Sequence, residues 1–170
     1  MSEEAYRISV NVAQLEAFGE QMARATELWQ PHAENAMDGS LDLILDWIVA
    51  NTPVNLGLLR GSFAKDIYGQ EADLHGEVVT PLLYGWPVEI GQEPGKVRNV
   101  AAIKLWAKRK LGLSGKQLDS AAWAIAIAIG KKGTDGALMV EQAFQRARNG
   151  SELDAIWGYE IEQFLKELAK

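Results

Sequence analysis

The eleven residues TPVNLGLLRGS, from Thr52 to Ser62, separate two kinds of apolar pattern in this chain. Before them, apolar residues recur at helical spacing, and Pro53 ends the helix because a residue that precedes proline is disfavoured in helical conformation. After them, short segments rich in β-branched and aromatic residues are separated by turn residues. We therefore predict a small antiparallel sheet of about three to four strands, with a meander over Phe63–Gly69, Leu74–Thr80 and Leu83–Ile90.

The region before this stretch, residues 1–51, predicts one strand and two helices. The alternation of apolar and polar residues over Tyr6–Val12 is typical of a half-buried strand. The apolar period then becomes helical over Val12–Trp29, and Pro31 is expected to break the helix, since proline is tolerated only in a first turn. A second helix is expected over His32–Asn51, where the apolar residues share one face.

The region after the meander, residues 96–170, is predicted to be helical. Glycines and cations at the ends of its apolar segments are typical helix terminators. The four predicted helices cover Asn99–Leu111, Leu118–Lys132, Leu138–Arg148 and Leu153–Leu168. The expected fold is a single α+β domain, residues 1–170, in which helices flank one small antiparallel sheet; its three parts are residues 1–51, the meander 52–95 and the helical part 96–170.

The composition of the chain excludes several classes of function. The 170 residues include no cysteine and only two histidines, which excludes disulfide scaffolds, cysteine-ligated zinc and cysteine nucleophiles. Neither a phosphate-binding glycine loop nor a dinucleotide-binding glycine pattern is present. The longest strongly apolar run, Ala121–Ile129, is well short of the ~20 residues of a membrane span. We predict no catalytic residues, no cofactor, no metal site and no membrane contact.

Charge is divided unevenly along the chain. Residues 1–95 carry four cations and fifteen acids, whereas residues 96–170 carry thirteen cations and eight acids, within a total net charge of −6. Such asymmetry predicts a polar partner, either nucleic acid or another protein, and we hypothesise that the acids on the second helix face the basic segment 96–116 across subunits or layers. The candidate interface residues are three acids at helical spacing and four cations, namely Asp38, Asp42, Asp46, Lys104, Lys108, Arg109 and Lys110.

The same charged residues leave other interpretations open. The acids and cations can simply be solvated faces of helices that neutralise each other within the fold. The basic segment 96–116 can instead contact duplex DNA through phosphate charges. A carboxylate–metal hydrolase built on the three aspartates is a further alternative, although sites for hard cations usually combine carboxylates with loop carbonyls.

Two segments carry a resemblance to a known family. The first matches a turn signature at Pro53, Gly57, Leu59, Arg60 and Ser62, and the second, LYGWPVEIG from Leu83 to Gly91, matches a strand signature. The matching positions of the second signature are Tyr84, Val88, Glu89 and Gly91. Their order and spacing resemble the head–tail joining, or tail-completion, family of long-tailed bacteriophages (siphoviruses). The later residues 129–133 and 136–144 resemble the closing segment and final helix of that family.

The resemblance implies a virion structural protein without catalysis. Such a protein lies in the phage neck, forms or joins a homo-oligomeric ring through which double-stranded DNA passes, and contacts head connector and tail tube or terminator proteins. It is assembled in the cytoplasm of the host bacterium and takes no small-molecule substrate. A phage tail terminator or minor tail protein is a close alternative, and a small DNA-binding accessory protein is a more distant one.

The two charged members of the signatures, Arg60 and Glu89, suggest a structural role. We hypothesise that they meet in a partly buried bidentate ion pair that fixes the turn to the sheet. Such a pair would make each single substitution destabilising and the double substitution less than additive.

Overall fold

The structure is a computed structural model that describes residues 12–70, 73–95 and 99–170, with side chains from residue 19 onward. Within these residues it contains six helices and two small antiparallel sheets of two strands each, which confirms the α+β class. In chain order the elements are α1 (Val12–Asn51), β1 (Ala64–Tyr68), β2 (His75–Val79), α2 (Gly85–Ile90), β3 (Gly91–Gln92), α3 (Val100–Leu111), α4 (Gly115–Lys132), β4 (Thr134–Asp135), α5 (Met139–Asn149) and α6 (Glu152–Leu168).

The prediction of two helices separated at Pro31 is wrong, because α1 continues through this proline as one helix of 40 residues. Proline removes one backbone hydrogen bond and costs about 3 kcal/mol in a helix interior. Pro31 is exposed, and its neighbours Trp29 and His32 both contact Phe164. Packing on both sides of the proline therefore outweighs its local preference. The strand predicted over Tyr6–Val12 lies outside the described residues, apart from Val12 at the start of α1.

The first two strands of the predicted meander are confirmed as the hairpin β1–β2. The third strand is wrong, because this segment forms the short helix α2. Pro87 lies within the first turn of α2, where the backbone N–H that proline lacks would have no helical partner. Pro87 lacks the N–H that a strand would need for its ladder, but this N–H is not needed in the first turn of a helix.

A second sheet joins two segments that are more than forty residues apart in sequence. Strands β3 and β4 pair antiparallel, with Gly91 opposite Asp135 and Gln92 opposite Thr134. The sheet is short, but it links the end of α2 to the loop that follows α4.

The four helices predicted in the last part of the chain are confirmed as α3, α4, α5 and α6. Asn99 caps the start of α3 by accepting a hydrogen bond from the backbone N–H of Ala102. Gly112 ends α3 in the left-handed conformation, and Gly133 follows α4 with a positive φ. Helices α3 and α4 pack against each other, and α4 buries Leu118, Ala122 and Ala126.

The chain divides into two compact units. Among the described residues, unit 1 comprises 12–40, 67–70, 73–76 and 152–170, and unit 2 comprises 41–66, 77–95 and 99–151. The buried core of unit 2 is formed by residues from α1, the turn after it and α5, namely Trp47, Ile48, Leu59, Met139 and Ala143.

Unit 1 is held by contacts between α1 and α6. The Trp29 ring packs edge-on against Phe164, and the indole N–H of Trp157 donates to the hydroxyl of Ser40 at 3.1 Å. A Cβ atom placed on Gly39 would lie 3.3 Å from Ile156, so this glycine permits the close approach of α6.

Candidate functional site

The signature residues of the two segments belong to unit 2, where they surround the end of α1 and the start of α5. Leu59 is buried in the unit 2 core together with Met139, and Val88 packs against the same cluster. The two segments and the closing segment are therefore parts of one connected structure.

Arg60 binds the carboxyl end of α1. Its Nε–H donates to the carbonyl of Val49 at 2.7 Å, and Nη2 donates to the carbonyl of Ala50 at 3.3 Å. The last carbonyls of a helix have no partner within the helix, and a cation is favourable there because of the helix dipole. The side chains of Asn51 and Thr52 donate to the two preceding carbonyls, those of Trp47 and Ile48, so four successive carbonyls at this helix end have side-chain donors.

The rest of the first signature shapes the turn and the approach to the hairpin. Gly57 has φ +79°, a conformation that favours glycine. The hydroxyl of Ser62 lies 2.6 Å from the hydroxyl of Thr80, and Thr80 also accepts from the backbone N–H of Leu82. These contacts connect the turn after α1 to the segment that leads into α2.

Glu89 binds the amino end of α5. One carboxylate oxygen accepts from the backbone N–H of Val140 and the other from that of Glu141, both at 3.0 Å. The residue before α5, Leu138, supplies no side-chain cap. Because the first N–H groups of a helix need acceptors and its dipole favours an anion, Glu89 replaces the missing cap from a distant part of the sequence.

Backbone contacts reinforce this junction between α2 and the closing segment. The N–H groups of Ala137 and Leu138 donate to the carbonyls of Val88 and Glu89 at 2.8 and 3.0 Å. A Cβ atom on Gly136 would collide with the carbonyl oxygen of Glu89, and one on Gly91 would collide with that of Thr134. Glycine is required at both positions for the two backbones to come this close.

The predicted ion pair between Arg60 and Glu89 is wrong, because each side chain binds backbone groups at a different helix end. The physical reason is that the carbonyls of Val49 and Ala50 need donors, whereas the first N–H groups of α5 need acceptors. The sequence contained a signal for this arrangement, since no Ser, Thr, Asp or Asn stands immediately before α5 and no glycine follows α1 directly.

The predicted interface residues are exposed, and several already have partners within the chain. Lys65 Nζ lies 2.7 Å from Asp42, Lys104 pairs with Asp119, and Arg109 donates to the amide oxygen of Asn55 at 3.1 Å. The other predicted interface residues, all exposed, are Asp38, Asp46, Lys108 and Lys110. Among the described residues, no group of three or more His, Cys, Asp or Glu side chains is placed to hold a metal ion.

An apolar groove adjoins the Glu89 contact, and sequence reasoning did not find it. Its volume is about 510 Å³. Large apolar side chains on its rim are exposed: Leu83 by 94%, Trp86 by 68% and Phe144 by 62%. The residues that line this groove are Phe63, Thr80, Leu82, Leu83, Gly85, Trp86, Glu89, Met139, Val140, Glu141 and Phe144.

The outer face of α4 is a second exposed apolar surface. Trp123 and Ile127 are exposed by 55% and 42% and lie one helical turn apart. At 3.6 residues per turn, Lys116 and Lys131 fall on the same face, opposite the buried stripe that begins at Leu118.

Two further findings concern the similarity of the chain to known proteins and the length and apolar character of its helices. The chain matches no protein-family model, no curated protein and no solved structure. None of the helices in the described part of the chain is both long enough and apolar enough to cross a membrane. The geometry of the site is suited to holding helices in place and to presenting apolar surfaces.

Proposed function

We propose that this chain is a structural protein of the neck of long-tailed bacteriophages, where it completes the tail or joins it to the head. It is not an enzyme, and it works as one copy in a ring through which double-stranded DNA passes. Its neighbours are the head connector and the tail tube or terminator proteins. It is assembled in the bacterial cytoplasm and resides in the virion.

The observation that carries this proposal is the connection between the segments on which the family resemblance rests. The first signature fixes the end of α1 through Arg60, and the second fixes the start of α5 through Glu89. Both signatures reach the same buried core through Leu59 and Val88. The two signatures thus hold helices around the same core. This shared role supports treating them as parts of one family pattern.

Disruption of the gene in the genome that encodes the chain tests this function directly. We expect electron microscopy of the resulting lysate to show DNA-filled heads and tails that are not joined, and expression of the intact chain from a plasmid to restore complete particles. Complete particles in the absence of the chain would contradict the proposal. Tails of uncontrolled length would instead favour the tail-terminator alternative.

A DNA-binding accessory protein is the second candidate function. It is favoured by the exposed cations of α3, namely Lys104, Lys108, Arg109 and Lys110. Duplex binding through these residues would weaken steeply as salt is raised. We expect a filter-binding or anisotropy titration at low salt to separate the candidates, since tight salt-dependent binding by the free chain favours the accessory protein.

A further inference from the structure

We propose that the apolar groove of one copy of this chain receives the outer face of α4 from a second copy, in a head-to-tail contact. Trp123 is the central side chain that enters the groove. The inference rests on the proposed function only for the expectation that the copies close into a ring. The contact itself is argued from two surfaces of unit 2.

The groove has the size and lining of a docking site. Its volume of about 510 Å³ lies within the range of about 300–1,000 Å³ that is usual for binding pockets. Leu83 and Trp86 from one side and Phe144 from the other expose apolar surface to solvent around it. Exposed apolar patches of this kind mark sites of association in soluble proteins.

The outer face of α4 has the pattern of a helix that docks in a groove. Residues 120, 123 and 127 recur at the spacing of one helix face, and the apolar members are Trp123 and Ile127. About half of each side chain is exposed to solvent, 55% of Trp123 and 42% of Ile127. Tryptophan that enters a pocket is among the residue types that contribute most to binding energy.

Charge complementarity selects this occupant. Two carboxylates, those of Glu89 and Glu141, line the groove, and none of the described residues that line it is a cation. The α4 face is bounded by Lys116 on one side of Trp123 and by Lys131 on the other, about 22 Å apart along the helix at 1.5 Å per residue. Glu89 binds the first N–H groups of α5 and Glu141 stands at the same helix end, so an apolar face with a cation at its end matches an apolar groove with negative charge at one place.

The contact is heterologous, because the groove and the α4 face are different surfaces. A repeated heterologous contact closes into a ring when its rotation permits and otherwise continues as a filament. Each copy would offer one groove and one α4 face, so a variant that lacks either surface can still bind one neighbour through the other.

This property gives a direct experiment with two variants. The groove variant is Leu83→Asp with Trp86→Ala, and the α4 variant is Trp123→Ala with Ile127→Ser. All four side chains are exposed, so both variants are expected to fold. Circular dichroism and thermal melting measure whether they do. The matched control is Tyr159→Ala, which removes an aromatic side chain that is 60% exposed on α6, outside both surfaces.

The mass of each protein is measured by light scattering over a concentration series, without DNA. The wild-type chain and the Tyr159→Ala control are expected to associate equally, and each double variant alone to associate about 30-fold more weakly or worse. An equal mixture of the two double variants is expected to form complexes of two chains and no larger species, because one groove and one α4 face remain to pair.

Three results would overturn the proposal. These are a wild-type chain that stays monomeric or associates only when duplex DNA is added, double variants that associate like the wild type, and a mixture of variants that forms no two-chain complex. The particle phenotype of the disrupted gene is independent of all three. Failure of this contact is therefore distinguishable from failure of the proposed neck function.

Discussion

The α1–α6 contact of unit 1 and the helix-end contacts of unit 2 use charged side chains in different ways. In unit 1, two side chains bind each other: Nδ1 of His32 on α1 lies 2.7 Å from a carboxylate oxygen of Glu160 on α6, and both side chains are largely buried. In unit 2, Arg60 and Glu89 bind backbone groups at helix ends. Both histidines of the chain, His32 and His75, belong to unit 1.

This difference separates two kinds of sensitivity. A histidine–carboxylate pair responds to pH near neutrality, since histidine is the side chain that ordinarily titrates there. Contacts from an arginine and a carboxylate to backbone groups contribute to the stability of their own helix end and need not depend on each other. Four measurements, on substituted proteins or at varied pH, test whether the two kinds of contact differ in this way.

The largest effect is expected from the unit 2 core. Met139 is 1% exposed, and its sulfur lies 3.3 Å from the hydroxyl oxygen of Thr52, whose proton goes to the Ile48 carbonyl. Met139→Ala should lower the free energy of unfolding by about 2–5 kcal/mol, because it leaves a cavity between α1 and α5. Denaturant unfolding measures the loss. Phe144→Ala, on the same helix but 62% exposed, is the control and should cost under about 1 kcal/mol. Equal losses would show that Met139 is not in the core.

The helix-end contacts should give smaller and independent effects. Arg60→Ala and Glu89→Ala should each cost about 1–2 kcal/mol, since each removes a charged partner from two backbone groups. Arg60→Lys and Glu89→Gln should cost less, because each retains part of the hydrogen bonding. The double alanine variant should lose the sum of the single losses to within about 0.5 kcal/mol, because the two residues share no partner. A loss clearly below the sum would instead support the ion pair between Arg60 and Glu89 that the sequence suggested.

A pH titration tests the unit 1 contact. The hydrogen bond to Glu160 raises the pKa of His32 above its usual value of 6.5, nearby Glu167 acts in the same direction, and desolvation opposes them. A raised pKa in the folded state means that the stabilisation is complete below about 6.5 and is lost as pH rises through the folded-state value. We expect the wild-type melting temperature to fall over this interval and the fall to be reduced in His32→Gln. An unchanged pH profile in His32→Gln would exclude the pair as its cause.

The smallest effect is expected from the exposed pair of Asp42 and Lys65. Asp42→Asn should cost under about 1 kcal/mol, because exposed ion pairs are screened by water and salt. The difference from wild type should shrink further at high salt. Thermal melts at two salt concentrations measure it, and a loss as large as that of Glu89→Ala would show that Asp42 has a role that its exposed position does not explain.

The helices of the last part of the chain could be predicted because their stop signals are local. Gly112, Gly133 and Gly150 stand at or next to the ends of α3, α4 and α5, and a glycine terminator needs no knowledge of the rest of the fold. The hairpin could be predicted for the same reason, from turn residues between two short β-rich segments.

The errors arise where distant contacts override local preference. Helix α1 continues through Pro31 because α6 holds both sides of it, and no residue near Pro31 shows this. The ends of α1 and α5 could be predicted, but the sequence does not show that Arg60 and Glu89 are the side chains that bind their backbone groups. Sequence periodicity likewise could not distinguish the exposed Trp86 and Phe144 of the groove from core residues, since both kinds are apolar.

Complementation of the disrupted gene tests most directly whether the chain joins heads to tails through the exposed surfaces of unit 2. Plasmids supply the wild-type chain, the Tyr159→Ala control or the Trp123→Ala, Ile127→Ser variant, and electron microscopy counts the particles whose heads and tails are joined. We predict that the first two restore joined particles and that the folded α4 variant does not. Equal restoration by the α4 variant, or joined particles without any plasmid, would contradict this view of the molecule.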